Sequence, residues 1–388
     1  MIVLLSLRKD AFNMKKVKVL FFIYQMGAGG AARTLLNIIN NLDRDKFSVV
    51  LVTLNFDGSY EKDIRSDVKF IKLSTSRLSR SIFKLATIIR NEKVNVVFST
   101  IPRVNTIAII ANRISRGHAV NVIREADNLG GTVQENLKLR LFGMVYKLSS
   151  QIISLSEGVK QNLVKRYGIK EKEIQVIYNP VDLNNINEKM NKGNIDSNFE
   201  YIFDTDDKVI ITAGRLVKQK DHRTLINAFN LVNEQVKSRL VILGEGPLQE
   251  ELIEQTRSLG IENRVYFIGF QQNPYIYFTQ SDLFVLSSIH EGFSHVVAEA
   301  LATGTPVVST DCKSGPREVL DNGKYGLLSE VGNADELASN MLKVLTYDQA
   351  KLTDVINQGY KRAETFDAKK MVKQYEEIFL AEVKSEGR

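Results

Sequence analysis

Residues 287–320 read SSIHEGFSHVVAEALATGTPVVSTDCKSGPREVL, and they predict the end of a strand, a turn, a helix and a second strand in succession. The first apolar run ends near Ser287, a glycine turn follows at Gly292, and the helix is predicted from about Ser294. The second strand is predicted at residues 306–309. This order is typical of an α/β unit whose strands are parallel.

The same alternation of strands and helices extends through the rest of the chain. Helices are predicted between most of the strands, and the chain closes with helical segments from Asp335 onward. We therefore predict an α/β fold with two doubly wound sheets, which places a ligand in a cleft at the carboxyl ends of the strands. The other apolar runs typical of strands are residues 17–24, 47–54, 68–73, 94–99, 119–124, 151–155, 208–213, 239–243, 265–268 and 283–287.

The chain has 388 residues, of which 44% are apolar and 25% charged, and this is more than one compact core normally accommodates. We predict a first domain at residues 1–183, an exposed linker rich in Asn, Asp and Lys at residues 184–207, and a second domain at residues 208–388. Because Met14 and two lysines precede the first strand as a normal start would, we expect residues 1–13 to be disordered.

Charge is distributed unequally between the two halves of the sequence. Residues 1–183 hold 29 Lys and Arg against 15 Asp and Glu, a net charge of +14, whereas the remainder holds 23 against 30, a net charge of −7. The basic half suits an anionic partner such as phospholipid headgroups, a lipid pyrophosphate or nucleic acid. A generally solvated lysine-rich surface explains the same numbers, because the cations form no dense block.

No apolar run approaches the length that crosses a bilayer, and residues 2–7 are too short and wrongly flanked for a signal peptide. We therefore expect a cytoplasmic protein. The single cysteine, Cys312, excludes a framework of internal disulfides and offers no partner for a cysteine-rich metal site.

The turn at Gly292 has the features of an anion site. Glycine lets the backbone approach a ligand closely, and the helix that follows offers unpaired N–H groups and the positive end of its dipole. Glu291 lies in the loop, and Glu299 lies further along the helix. A pyrophosphate at the turn would lie between a sugar whose hydroxyls contact Glu291 and a ribose whose hydroxyls contact Glu299.

Two cations are predicted at the same sheet edge. Arg215 and Lys220 follow the predicted strand at residues 208–213, after Gly214. Such cations can neutralise a diphosphate, and they stabilise the charge that develops on a leaving phosphate without a metal ion. Ordinary surface charge is the alternative explanation of these two residues.

These residues together resemble glycosyltransferase family 4, which comprises retaining enzymes of GT-B architecture. Glu291 and Glu299 match the family's motif of two glutamates separated by seven residues, and Arg215 and Lys220 match its donor-phosphate pair. The resemblance implies that the backbone after Glu291 binds the donor phosphates and that a loop after the strand at 265–268 contacts the base. The implied donor-binding residues are Gly244 in the LGEGP turn at 243–247, Gly269, Phe270, Gly292, Phe293, Ser294, His295, Val296 and Glu299.

The resemblance covers nearly the whole chain from Met14 and is weaker in the first domain. Gly29 and Gly30 match a glycine turn near the donor phosphates and the acceptor, although Ala32 replaces the usual Glu. Arg124 stands where many members carry a His, so that the resemblance implies a role for it in binding or transfer. Residues 179–182, NPVD, match the family's hinge between domains.

The resemblance implies two Rossmann-like domains that face a cleft, with C-terminal helices packing back, and retaining transfer without a strong nucleophile, metal or cofactor. We expect a hexose or N-acetylhexosamine to move from a nucleotide sugar, with UDP the expected carrier, to a lipid-linked or polysaccharide acceptor in bacterial envelope polysaccharide synthesis. The first domain would bind the acceptor and the second the donor. Expected partners are the donor, a lipid-linked or oligosaccharide acceptor and an anionic membrane surface, on which the protein would be peripheral at the inner face of the plasma membrane.

Other functions fit less well. His290 and His295 are five residues apart across a glycine, whereas a zinc-protease motif places two histidines four apart on a helix. Residues 204–206 have the DxD spacing of metal-dependent transferases, but their polar surroundings favour a turn. The glycines at 27–30 do not complete a dinucleotide motif. Aromatic and basic residues are not interleaved as nucleic-acid stacking requires, so no nucleic-acid partner is expected. A catalytically inactive sugar-nucleotide-binding subunit remains the alternative, supported by Ala32.

One basic amphipathic segment could belong to the core or to a membrane surface. Leu78, Ile82, Leu85 and Ile89 recur at helical spacing and are flanked by arginines and lysines. We favour burial in the core, because such stripes usually pack inside. We expect other parts of the basic domain to meet the bilayer.

Overall fold

The computed structural model describes residues 16–27, 29–312 and 314–386. The chain divides into two units of α/β structure. The first comprises residues 1–180 and 368–388, and the second comprises residues 181–367. The residues predicted to be disordered, 1–13, lie outside the described part of the chain.

The first unit contains a parallel sheet of seven strands in the order β3-β2-β1-β4-β5-β6-β7. The apolar runs identified in the sequence form its first six strands, and the short edge strand β7 was not predicted. The strands are β1 Val17–Phe22, β2 Phe47–Thr53, β3 Lys69–Lys72, β4 Val96–Thr100, β5 Val120–Glu125, β6 Gln151–Ser154 and β7 Ile174–Val176.

Helices cover both faces of this sheet, which is why its central strands are apolar throughout rather than alternating. Val19 and Phe21 lie in one core, whereas Leu20 and Phe22 lie in the core on the opposite face. The helices of this unit are α1 Gly30–Asn41, α2 Ile82–Asn91, α3 Pro102–Ser115, α4 Val133–Tyr146, α5 Glu157–Asn162 and, at the end of the chain, α15 Ala368–Glu386.

The second unit contains a parallel sheet of six strands in the order β10-β9-β8-β11-β12-β13. Its strands are β8 Lys208–Ala213, β9 Ser238–Leu243, β10 Val265–Phe267, β11 Leu283–Leu286, β12 Val307–Thr310 and β13 Leu327–Ser329. Its helices are α6 Leu183–Lys192, α7 Glu200–Phe203, α8 His222–Asn233, α9 Gln249–Ser258, α10 Tyr275–Thr279, α11 His295–Ala302, α12 Pro316–Val319, α13 Ala334–Leu345 and α14 Gln349–Ala363.

The division differs from the predicted domain boundaries at two places. The segment predicted as an exposed linker at residues 184–207 includes α6 and α7 and belongs to the second unit. The final helix α15 belongs to the first unit instead of the second, because its apolar residues pack in the core that contains Phe21. The chain leaves the first unit after Pro180, inside the NPVD sequence that was predicted to mark the crossing.

The amphipathic segment near α2 is part of the core, as predicted. Leu85 and Ile89 are buried, and Leu78 and Ile82 pack against the same cluster. Among the described residues, no helix is long and apolar enough to span a bilayer.

Candidate active site

Three of the residues predicted to bind the donor, Arg215, Lys220 and Glu291, follow the two strands between which the strand order of the second sheet reverses. The strands β8 and β11 are neighbours in this sheet although other strands separate them in sequence. In open α/β sheets, the loops at the carboxyl ends of two such strands border the crevice in which ligands bind. Arg215 and Lys220 follow β8, and Glu291 follows β11.

An ion pair joins the two loops. Lys220 Nζ lies 2.5 Å from Glu291 Oε1, and both side chains are largely buried. Ser288 donates its hydroxyl hydrogen to the same oxygen at 2.7 Å. One oxygen of the Glu291 carboxylate is therefore held by two donors, which fixes the side chain in a single orientation.

The backbones of the two loops are also joined. The Ser287 hydroxyl donates to the Lys220 carbonyl at 2.8 Å, and the Ile289 amide donates to the Gln219 carbonyl at 2.8 Å. The Gln219 amide group in turn donates to the His290 carbonyl at 2.9 Å. Because these bonds link the loops, Lys220 and Glu291 are placed before any ligand arrives.

Glycines allow the neighbouring loops to approach closely. Gly244, after β9, has φ +137°, and a Cβ atom on it would lie 1.9 Å from the Gly214 carbonyl oxygen. The Gly244 amide donates to the Gly269 carbonyl at 2.8 Å. Only glycine fits such a position, so the turn after β9 depends on it. Beside this turn, Phe270 exposes 45% of its surface.

The N-terminus of α11 carries backbone strain. Ser294 precedes the first helical residue and has φ 71°, a left-handed conformation that costs a serine energy. Its hydroxyl oxygen is buried and has no hydrogen-bond partner among the described residues. The first amides of a helix have no acceptor within it. The turn from Gly292 to Val296 therefore presents donors at a strained, enclosed position.

Several predicted residues of this segment are buried. Phe293 packs against Phe366, with ring centroids 5.1 Å apart, and its ring also contacts His295. Glu299 is almost fully enclosed on α11. The Phe293 ring thus belongs to the core, and only the backbone of this residue suits the donor-binding role predicted for it.

Two further residues of the site were not singled out from the sequence. Ser288 binds the Glu291 carboxylate, and Ser314 donates its hydroxyl to the Glu291 carbonyl at 2.5 Å. Gly315 follows with φ +83°, and a Cβ atom on it would lie 3.0 Å from Glu291 Cβ. The Ser-Gly sequence before Pro316 could have indicated this contact, because a glycine there lets the loop after β12 pack against Glu291.

Two titratable groups near the site are neutral. Burial, with a contribution from the charge of Lys220, lowers the pKa of His222 to about 4. Burial raises the pKa of Cys312 to about 12, so this thiol is unreactive as a nucleophile. Among the described residues, no three His, Cys, Asp or Glu side chains are grouped as a metal site requires.

Gly29, Gly30 and Arg124 belong to the first unit. Gly29 is extended, with φ −169°, and Gly30 begins α1 after β1. A Cβ atom on Gly29 would meet no atom within 4 Å. The order of the first sheet reverses between β1 and β4, so this turn lies at the same kind of crevice. Ile101, directly after β4, has φ 82°, which is strained for a β-branched residue.

Arg124 is enclosed in the protein. It is 1% exposed, and its guanidinium donates to the Thr100 hydroxyl at 3.2 Å and to the Asn179 side-chain oxygen. These contacts join the ends of β4 and β5 to the segment where the chain leaves the unit. This placement favours a structural role over contact with a sugar or phosphate.

Glu125 follows on the opposite face of β5 and is fully buried. Its Oε2 accepts a hydrogen bond from the Tyr146 hydroxyl at 2.7 Å and one from the Tyr167 hydroxyl at 3.3 Å. Burial outweighs these bonds and raises the pKa of this carboxyl to about 7.

Comparison with known proteins identifies the family. A family model described as "Glycosyltransferase Family 4" matches residues 28–185, and one described as "Glycosyl transferases group 1" matches residues 195–362. The chain is 32% identical over 374 residues to the N-acetylgalactosamine-N,N'-diacetylbacillosaminyl-diphospho-undecaprenol 4-alpha-N-acetylgalactosaminyltransferase of Campylobacter jejuni, covering 92% of this chain and 97% of that enzyme. The chain belongs to glycosyltransferase family 4.

A second relative of this chain is also named as a glycosyltransferase. Lipopolysaccharide 1,6-galactosyltransferase of Salmonella typhimurium is 28% identical over 208 residues, covering 53% of this chain and 55% of that enzyme. The crystal structure of Anabaena HepE in complex with UDP aligns with a TM-score of 0.79 and 23% identity, covering 94% of this chain and 100% of that one. The predicted α/β fold of GT-B type is confirmed. The relatives include enzymes of bacterial envelope polysaccharides, and the alternative of an inactive subunit is not favoured.

Proposed function

We propose that this glycosyltransferase moves a hexose or N-acetylhexosamine from a UDP-linked sugar to a lipid-linked or polysaccharide acceptor in bacterial envelope polysaccharide synthesis. The observation that carries the proposal is the Lys220–Glu291 pair, fixed by Ser288 at the reversal point of the second sheet. HepE is named as binding UDP, and the Campylobacter relative is named for an undecaprenol-linked substrate. Both names agree with the proposed donor and acceptor.

The diphosphate of the donor would lie against the N-terminus of α11. Arg215 is exposed at the edge of the crevice, and Lys220 lies beside Glu291. The cations and the amides of Gly292 to Val296 would neutralise the charge that grows on the leaving phosphate. We therefore propose metal-independent transfer, since the protein's own cations and dipoles supply this stabilisation.

The two glutamates would orient the donor by its hydroxyl groups. Glu291 accepts hydrogen bonds from Lys220 and Ser288 on Oε1, and we assign Oε2 to the sugar hydroxyls. Glu299 would accept from the ribose, which requires the buried carboxylate on α11 to be reached from the crevice. The turn at Gly269 and Phe270, beside Gly244, would contact the base.

Transfer would retain the anomeric configuration. The acceptor hydroxyl would attack the anomeric carbon from the face that the nucleotide leaves, while the leaving phosphate accepts the hydroxyl proton. The sugar–phosphate bond breaks as the new glycosidic bond forms, and UDP takes the electron pair. Positioning by Glu291 and stabilisation by Lys220 and Arg215 are the contributions of the protein.

We propose that the first unit binds the acceptor and that the backbone of the turn at Gly29 and Gly30 takes part in donor binding. Arg124 would support this unit through Thr100 and Asn179 without touching substrate. The basic first half of the sequence would attract the anionic inner face of the plasma membrane, where a lipid-linked acceptor resides. The protein would thus be cytoplasmic and peripheral to the membrane.

Donor hydrolysis by the purified protein tests this function. Nucleotide release from a panel of UDP-, GDP- and ADP-linked sugars is expected only with UDP donors, and UDP is expected to raise the melting temperature most. Glu291→Ala should abolish release, whereas Glu250→Ala, an exposed glutamate of α9, should leave it unchanged. Release by the Glu291→Ala protein at the wild-type rate would refute the assigned site. A product with inverted anomeric configuration in proton NMR would refute retention.

A further inference from the structure

The helix α4 exposes five large apolar side chains to solvent. Exposed apolar side chains are ordinary when they are scattered singly, but a continuous set on one element marks an interaction surface. Each of them exposes between 48% and 86% of its surface. They are Val133, Leu137, Leu141, Met144 and Leu148, the last lying two residues beyond the end of the helix. We call this set the α4 stripe.

The spacing of the α4 stripe places its members on one side of the helix. Successive members are separated by four, four, three and four residues. At about 100° per residue, they lie within an arc of roughly 80°. A single surface that touches α4 from outside would therefore contact all five side chains.

The opposite side of α4 is anchored in the unit. Leu139, Gly143 and Tyr146 are the buried residues of the helix. A Cβ atom at Gly143 would lie 2.0 Å from the Tyr167 carbonyl oxygen, so glycine there allows α4 to pack tightly onto its neighbour. Thr132 and Glu135 form a reciprocal capping box that fixes the start of the helix. The stripe thus faces outward because of the packing behind it.

Cations lie along both edges of the α4 stripe. By the same helical geometry, Arg140 and Lys147 fall on one border and Lys138 falls near the other. All three are exposed. The only acidic residue of the helix is Glu135, whose carboxylate accepts from the Thr132 amide at 3.1 Å. An apolar strip with cationic borders matches the hydrocarbon and the phosphates of an anionic bilayer surface.

A second copy of the chain is a poorer match to this surface. Two identical stripes in a symmetric dimer would bring the bordering lysines and arginines of both copies toward one another. Like charges so placed repel each other, and α4 offers only Glu135 to compensate. The charges of the helix therefore favour a lipid surface over self-association.

We propose that α4 lies in the plane of an anionic bilayer, with Leu137, Leu141 and Met144 among the acyl chains and Lys138, Arg140 and Lys147 at the lipid phosphates. The inference deepens the peripheral location proposed above, and it rests on the proposed function only for the identity of the membrane. Binding to the bilayer would hold the first unit at the surface from which a lipid-linked acceptor protrudes. The proposed membrane-binding surface is therefore the single helix α4 and not the whole basic first unit.

Vesicle co-sedimentation tests the proposal with the full-length protein. The probes are vesicles of phosphatidylcholine alone and of an equimolar mixture of phosphatidylcholine and phosphatidylglycerol. Wild type is expected to bind the mixed vesicles. Leu137→Gln/Leu141→Gln should weaken this binding about tenfold or more, since glutamine keeps the helix but cannot enter the acyl region. Lys138→Gln/Arg140→Gln should weaken it several-fold and reduce its dependence on salt.

Controls separate this proposal from the proposed transfer reaction. Leu259→Gln changes an exposed leucine of the second unit and should bind vesicles as wild type does. Release of UDP from a water-soluble donor in the absence of lipid should be the same in the stripe variants and in wild type, which also shows that they are folded. Failure of that release in wild type would count against the transferase proposal and leave vesicle binding measurable.

Two kinds of result would overturn the proposal. One is a failure in co-sedimentation: either wild-type protein stays in solution with anionic vesicles, or the Leu137→Gln/Leu141→Gln protein binds them as well as wild type does. The other is a wild-type dimer in analytical ultracentrifugation that the same substitutions convert to monomer while vesicle binding is unchanged. The second result would assign the α4 stripe to self-association.

Discussion

At the scale of single residues, the carboxylate of Glu291 is held by hydrogen bonds from two side chains of the candidate site. Lys220 and Ser288 both contact its Oε1, and Ser314 contacts its backbone carbonyl. A glutamate held in this way keeps one orientation whether or not donor is bound, and such preorganisation lowers the barrier to transfer. The pair thus joins the proposed sugar-binding carboxylate to the proposed phosphate-binding cation.

Lys220→Met should therefore reduce the rate of UDP release from the donor by roughly 10²-fold to 10³-fold, because it removes a cation from the leaving phosphate and leaves Glu291 unpaired. Lys218→Met, in the same short turn, is the matched control, because Lys218 is exposed. Steady-state kinetics of nucleotide release would measure kcat for both. Equal kcat values for Lys220→Met and wild type would exclude Lys220 from the reaction.

Two glycines of the predicted donor turns should differ in how much stability is lost when alanine replaces them. Gly244→Ala should destabilise the second unit by at least about 2 kcal/mol, since its Cβ would overlap the Gly214 carbonyl and its φ is positive. Gly29→Ala should change stability by less than about 1 kcal/mol, since Gly29 is extended with open space beside it. Urea unfolding of each variant distinguishes the two. An equal loss of stability at both positions would contradict the steric account of Gly244.

The candidate donor site could be proposed from the sequence because its residue types cluster in short stretches, and the structure places Lys220 beside Glu291. Glu291, Gly292 and the start of α11 follow one another directly, and Arg215 and Lys220 follow a strand. Ser288 and Ser314 were missed, because a serine hydroxyl binds wherever the chain happens to fold and leaves no pattern. The burial of Arg124 could not be predicted from the sequence either, since its hydrogen-bond partner Asn179 is distant in the chain.

At the scale of elements, the buried strands were predictable and some helices were not. Continuous apolar runs such as 47–54 and 208–213 indicate strands covered on both faces, and the structure contains them. The helix α6 was missed because its sequence is mostly Asn, Lys and Glu and buries only Ile186. The α4 stripe was missed because the helix is apolar on opposite sides, which hides the period in the sequence.

The Glu125 carboxyl joins β5 to α4 and should make the first unit sensitive to pH. Burial raises its pKa from the ordinary 4.5 to about 7, so between these pH values the folded protein holds a proton on Glu125 that the unfolded chain has released. Proton binding by Glu125 therefore stabilises the folded state fully below about pH 4.5, and this contribution is lost as the pH rises through about 7. Glu125→Gln should therefore be more stable than wild type at about pH 8, by up to roughly 3 kcal/mol, and similar to it at about pH 4.5.

Urea unfolding at several pH values, followed by circular dichroism, measures this difference. Glu171→Gln is a suitable control, because this glutamate is exposed and should show no comparable change between the two pH values. A Glu125→Gln protein whose stability relative to wild type does not vary with pH would mean that folding does not raise the pKa of Glu125.

At the scale of the whole molecule, the chain passes between its two units twice, after Pro180 and after Asp367. The final helix α15 therefore completes a unit whose other elements all precede residue 181. Its rings join an aromatic cluster in that unit, with Phe379 6.2 Å from Phe47 and 5.9 Å from Phe98, measured between ring centroids. The helical pattern alone does not assign this helix to a unit, because an amphipathic helix fits either core equally well, whereas the family resemblance implied C-terminal helices that pack back.

A chain ending at Asp367 should consequently lose stability in the first unit and keep it in the second. Removal of Tyr375 and Phe379, both almost fully enclosed, uncovers the apolar face of the first sheet, and a single Phe379→Ala substitution should already cost about 3 to 5 kcal/mol. Calorimetry should show the first unit's transition lowered or lost, with a second transition that UDP still raises, because the proposed donor residues after β8 and β11 all lie before the truncation. Phe379→Leu retains most of the buried volume and should lie between wild type and Phe379→Ala. If truncation instead lowered the UDP-sensitive transition while sparing the other, α15 would have to stabilise the second unit, and the assignment of this helix to the first core would be incorrect.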